Sequence, residues 1–111
     1  MTELHQGEVY WLNFGEPPER HSCVVVQSDI FNRSRISTTV VCLITSNLTR
    51  ARAPGNVPLE KGAANLPKPS VVNVSQILTI DKTELTERIS QLPAATIHSI
   101  RAGLQLLFDR V

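Results

Sequence analysis

Arg20 and His21 stand side by side just before one apolar run, and Thr45 and Ser46 stand at the end of another. A guanidinium offers a fixed fork of donors and a permanent charge, which suits a phosphate. An imidazole titrates near neutrality and can take or give a proton. A hydroxyl at the end of a buried strand is held on a rigid element and can donate to a phosphate oxygen. Such groups suit a reaction in which an RNA 2′-hydroxyl attacks the neighbouring phosphate. That reaction needs a base, an acid for the leaving 5′-oxygen and donors for the charge on the phosphorane; it requires no metal. Arg20, His21 and Thr45 could fill those roles if the fold brings the two strand ends together. From the residues alone, Glu19-Arg20-His21 reads more simply as a solvated charged turn, and Thr and Ser end strands everywhere.

The elements that must position these groups are short. Gly7 to Phe14 is rich in Val, Tyr, Trp and Phe, as strands are. Gly15-Glu16-Pro17-Pro18-Glu19 breaks it, because two prolines cannot continue a ladder. Cys23 to Val26 is fully apolar and reads as a central strand. Ser28-Asp29 can cap a helical turn through Ile30-Phe31-Asn32, and Thr38 to Ile44 is a β-branched strand. Ala53-Pro54-Gly55-Asn56 is a turn, and Val57 to Leu59 a short edge strand containing Pro58. After a loop from Lys61 to Pro69 come two strands, Ser70 to Val74 and Gln76 to Ile80. Asp81 to Leu85 is a turn, and Thr86 to Ser90 a polar edge strand. Ile97, Ile100, Leu104, Leu107 and Phe108 then recur at helical spacing after Pro93. Many short strands and one amphipathic helix predict a small, tightly closed β-barrel capped by a C-terminal helix.

A chain of 111 residues suits a single domain, residues 1–111. No apolar run approaches the roughly 20 residues that span a bilayer, and the first residues lack the pattern of a secretory signal. A cytoplasmic protein with no membrane association is expected. Cys23 and Cys42 sit in apolar runs and read as small buried hydrophobes. Two Cys and three scattered His give no metal-ligand pattern, so neither metal nor cofactor is expected. The net charge is only +1, so any binding of nucleic acid rests on local charge. Arg33, Arg35, Arg50 and Arg52 flank the strands with no acid between Arg33 and Arg52. Singly each is a solvated side chain; together they form a candidate phosphate-facing rim. Glu16 and Glu19, beside two prolines, read as surface charge, and His5 and His98 have no partner nearby in sequence.

Several blocks, in their order, resemble the MazF/PemK family of toxin–antitoxin endoribonucleases. They are Gly7-Glu8-Val9-Tyr10-Trp11, Val24-Val25-Val26-Gln27-Ser28-Asp29, Asn32-Arg33-Ser34, Leu43-Ile44-Thr45-Ser46-Asn47 and Leu66 to Ile77. The resemblance runs from Gly7 to Leu107. It implies an SH3-like small β-barrel (MazF/CcdB-like) with a C-terminal helix, working as a homodimer. It also implies metal-independent cleavage of single-stranded RNA to 2′,3′-cyclic phosphate and 5′-hydroxyl ends. The cognate antitoxin would be a small protein whose disordered tail folds onto the dimer groove. The family pairs an arginine before the second strand with a threonine ending the third. Thr45 matches the threonine. The family's Arg-Pro step is replaced: Ser22 falls at the proline, His21 at the arginine, and Arg20 one residue earlier. The loop from Gly15 to Glu19 is also short and lacks the glycine-rich stretch. On this resemblance Arg20, His21 and Thr45 are the catalytic candidates. Ser46, Asn47, Gln27, Arg33, Arg50 and Arg52 are the RNA-binding ones. The other class of function compatible with the same barrel is a binding module, either a weakened toxin that still binds antitoxin or a CcdB-like gyrase-directed toxin.

Overall fold

The computed structural model describes residues 3–110. Along the chain run β1 (Glu8–Phe14), β2 (Glu19–Val25), α1 (Asp29–Asn32), β3 (Thr38–Thr45), β4 (Val57–Leu59), β5 (Ser70–Asp81), β6 (Glu87–Gln91) and α2 (Ala94–Phe108). The strands form one antiparallel sheet in the order β4-β5-β3-β2-β1-β6. The sheet curls into a half-barrel, and α2 follows it. Among the described residues no ladder joins β4 to β6, so the expected closure is partial.

Two elements differ from the sequence reading, each because of a partner strand. Glu19-Arg20-His21 is not a turn but the start of β2, since Phe14 and Asn13 of β1 pair with Glu19 and Arg20. The two late strands are one, β5, held along its length by β3. Pairing with β3 steps from Cys42↔Ile77 to Ile44↔Val72, so two steps on β3 are matched by five on β5. The four residues Asn73 to Gln76, set against Leu43 alone, form a bulge that re-aims polar side chains out of the ladder.

Both faces of the central strands are covered, which explains why β2 and β3 read as continuous apolar runs. On one face Val9, Val24, Cys42, Ile44, Val72 and Val74 pack with Leu92 and with Ile100 of α2. On the other, Leu4, Tyr10, Leu12, Cys23, Val25, Val41 and Leu43 pack with Leu85. Burying a side chain such as Ile100 contributes roughly 1.5–3 kcal/mol. Burial pushes the Cys23 and Cys42 thiols up to about 12, so both act as small hydrophobes.

α2 begins just after Pro93, whose fixed φ suits a helix entrance. Its approach is set by two glycines. Gly55 has φ +77°, and a Cβ on it would lie 3.0 Å from the backbone of Gly103. A Cβ on Gly103 would overlap the Gly55 carbonyl oxygen. The helix therefore rests backbone to backbone on the turn after β3.

A polar network ties the N-terminal segment to the barrel. Glu8 is 4% exposed and accepts from Arg88 Nε at 2.7 Å, His5 N at 2.7 Å and the Tyr10 hydroxyl at 3.3 Å. Burial, with the Glu8 carboxylate beside it, pushes the Tyr10 phenol up to about 12. Asp29 accepts from Gln6 N at 2.6 Å and lies 3.3 Å from His5 Nδ1, a partner for His5 that lies far off in sequence. Partial burial raises the Asp29 carboxyl, but the Gln6 N–H and the His5 ring outweigh it and hold it below the usual carboxylate range. A carboxyl with a depressed folded-state pKa contributes stability above its unfolded pKa and loses it as pH falls. Urea midpoints measured from pH 6 down to 3 should thus fall less steeply for Asp29→Asn than for the wild type. Parallel slopes would remove Asp29 from the acid response.

Candidate active-site cleft

A cleft of about 630 Å³ opens around the ends of β2 and β3. Its walls are Trp11 of β1, Arg20 to Ser22 of β2, Leu43 to Thr45 of β3 with Ser46, the following segment with Arg50 and Asn56, the loop from Leu66 to Lys68, and Ser70, Asn73, Ser75 and Gln76 of β5. Its charged lining residues are the cations Arg20, Arg50 and Lys68. Among the described residues no carboxylate lines it. A chain with net charge +1 thus concentrates positive charge at one opening.

β2 and β3 pair in register from Val25↔Val41 to Ser22↔Ile44. Continuing that register by one residue sets His21 against Thr45, on neighbouring strand ends. Alternation puts both side chains on the opposite face from Arg20 and Ser22. The His21 ring meets Phe14 edge-on, with centroids 5.8 Å apart. Thr45 Oγ1 accepts from Asn47 N at 3.1 Å, which leaves its hydroxyl proton to donate.

Arg20 is engaged differently. Its guanidinium lies 4.2 Å from the centroid of the Trp11 ring, and Nη2 reaches Glu87 Oε2 at 3.2 Å. Register explains this stack. Trp11 is opposite both Ser22 and Glu87, so Arg20, two residues from Ser22, crosses the indole to reach β6.

The remaining candidates divide. Ser46 and Arg50 line the cleft. Asn47 spends its side-chain oxygen on Thr49 N at 3.2 Å and Thr49 Oγ1 at 2.7 Å, capping the 3-10 turn Leu48–Arg52. Arg52 is exposed on that turn but is not in the cleft wall. Gln27 is not in the cleft either: its amide donates to Asn32 Oδ1 at 3.0 Å and to the Thr38 carbonyl at 3.2 Å, bracing α1 against β3. Arg33 follows α1, also outside the cleft.

Sequence reasoning missed Lys68, Asn56, Asn73, Gln76 and Trp11 as cleft residues. Asn56 fixes the Arg50 segment. It donates to the Arg50 carbonyl at 2.9 Å and accepts from Val74 N at 2.9 Å, pinning that segment to the β5 bulge. The Asn after Gly55 was a turn signal; what it holds lies on a strand far along the chain.

A small curled antiparallel sheet with a C-terminal helix, and a cationic cleft lined with hydroxyls, amides and one imidazole, defines a compact module suited to polyanions. The sequence matches the PemK-like, MazF-like toxins of type II toxin–antitoxin systems over residues 5–108, and the chain belongs to that family. It is 40% identical to endoribonuclease MazF6 of Mycobacterium tuberculosis, covering 96% of this chain and 97% of the relative. It is 32% identical to endoribonuclease EndoA of Bacillus subtilis, covering 93% and 92%. The fold matches a mycobacterial endoribonuclease solved with its cognate antitoxin, with TM-score 0.76 and 23% identity, covering 96% of this chain and 93% of the other.

Proposed function

We propose that this chain is the toxin of a type II toxin–antitoxin pair and cleaves single-stranded RNA by 2′-hydroxyl attack, without a metal. The observation that carries the reading is the cationic cleft at the ends of β2 and β3, free of carboxylates among the described residues, in a member of this toxin family. His21 would move the proton, and Thr45, whose oxygen already accepts a backbone N–H, would donate to the phosphorane. Arg50 and Lys68 would hold the flanking phosphates, with Ser46 beside them. Arg20 adds to the positive potential; its bonds to Trp11 and Glu87 argue against it as the proton-transfer group. The active species would be a cytoplasmic homodimer, restrained by an antitoxin whose acidic tail competes with RNA for the cleft cations.

The test is incubation of the purified protein with a long single-stranded RNA in EDTA. Discrete fragments with 5′-hydroxyl ends are expected. Intact RNA with correctly folded protein would sink the nuclease reading and assign the barrel to antitoxin binding or to a protein target.

A further inference from the structure

We propose that the Trp11–Arg20–Glu87 stack is a nucleobase platform, so that Arg20 meets the RNA through its face rather than through its edge. The inference rests on the reading of the cleft as an RNA site and assigns this part of it to a base. A guanidinium binds a phosphate with its edge N–H groups. At Arg20 one nitrogen of that edge, Nη2, already donates to a carboxylate, Glu87 Oε2 at 3.2 Å, whose charge would repel an incoming phosphate. One face of the guanidinium is covered by the indole at 4.2 Å. The side away from the indole remains, a flat cation in a cleft wall whose other cations are Arg50 and Lys68. Unstacked RNA bases settle on such planes, and the contact tolerates sequence because every base has a π-face. Three adjacent strands build the plate. Trp11 on β1 is paired directly with Glu87 on β6, and Arg20 reaches it from β2. Arg50 and Lys68, with no carboxylate beside them in the wall among the described residues, are left for the phosphates.

Base binding and charge are tested separately. The probes are a fluorescein-labelled single-stranded oligonucleotide pool without 2′-hydroxyls, and an abasic strand of the same length and charge. Wild-type protein should bind the base-bearing pool about tenfold more tightly, the effect of roughly one stacked base. Arg20→Lys keeps the charge and loses the plane; it should lose most of that preference while binding the abasic strand as before. Glu87→Gln removes the repelling carboxylate. It should bind the abasic strand more tightly than wild type and still lose base preference. The emission of Trp11, the only tryptophan, should change with the base-bearing pool and not with the abasic strand.

An unchanged base preference in Arg20→Lys would overturn the platform, as would weaker abasic binding there, which would mark Arg20 as a phosphate ligand. If neither strand binds and the wild type leaves RNA intact, the RNA reading fails with it. Binding without a base preference, in a protein that still cleaves RNA, overturns the platform alone.

Discussion

Thr45→Ala and His21→Ala are each expected to slow single-turnover RNA cleavage by about a hundredfold or more, with no change in fold. A positioned proton-transfer group is worth about 10²–10⁴-fold, and a donor aimed at developing negative charge about 10²–10³-fold. Thr45 ends β3, His21 lies near the start of β2, and neither is in the buried core, so circular dichroism and melting temperature should match the wild type. The paired variant should fall little below the worse single one, since groups that act on one transition state are not additive. The assay is the rate on end-labelled RNA in EDTA with enzyme in excess. A His21→Ala protein that cleaves at the wild-type rate would move the proton work away from His21. A Thr45→Ser protein should retain most activity, because the hydroxyl survives. Its inactivity would show that the methyl group, and not the donor, is what matters.

Gly103→Val should be the most damaging substitution away from the cleft. Any side chain at this position meets the Gly55 backbone, which has no flexible end to move aside. Overpacking of this kind costs about 1–3 kcal/mol, and the cost rises when the obstacle is main chain. For a domain of this size that lowers the melting temperature by roughly 10 °C. Because Gly55 precedes Asn56, which holds the Arg50 carbonyl, displacement of α2 should also disturb the cleft. Gly103→Ala in a urea melt gives the graded version of the test. If it melts with the wild type, the close approach of helix and turn is not what positions the segment.

Much of the fold was legible along the chain because its signals are local. The apolar runs gave β2 and β3, Pro58 marked an edge strand, and the Ile97-Ile100-Leu104 spacing marked α2. The start of β2 was hidden because its pairing with Asn13 and Phe14 is decided by the hairpin and not by Glu19-Arg20-His21 themselves. The site was half legible for the same reason. Thr45, Ser46 and the Arg20-His21 pair announce themselves as polar residues bordering apolar strands. Lys68 and the amides of Asn73 and Gln76 enter the cleft only through the fold of a loop and a five-for-two bulge, which no local pattern encodes. Gln27 lies outside the cleft because its amide braces α1 against β3, and in sequence a polar residue that braces a helix looks like one that faces a ligand.

The two margins of the sheet carry a consequence for how the protein behaves when it accumulates. β4 is three residues long with proline at its centre, and β6 displays Glu87 and Arg88 to solvent. A ladder needs N–H groups in a row and tolerates neither proline nor charge at its rim. At both margins, then, the sheet is a poor template for a second copy to extend the ladder. Self-association is left to surfaces such as Ile30, Phe31 and Phe108, which stand exposed on the two helices. Such contacts close when two copies present the same patch to each other, and so end in a finite assembly.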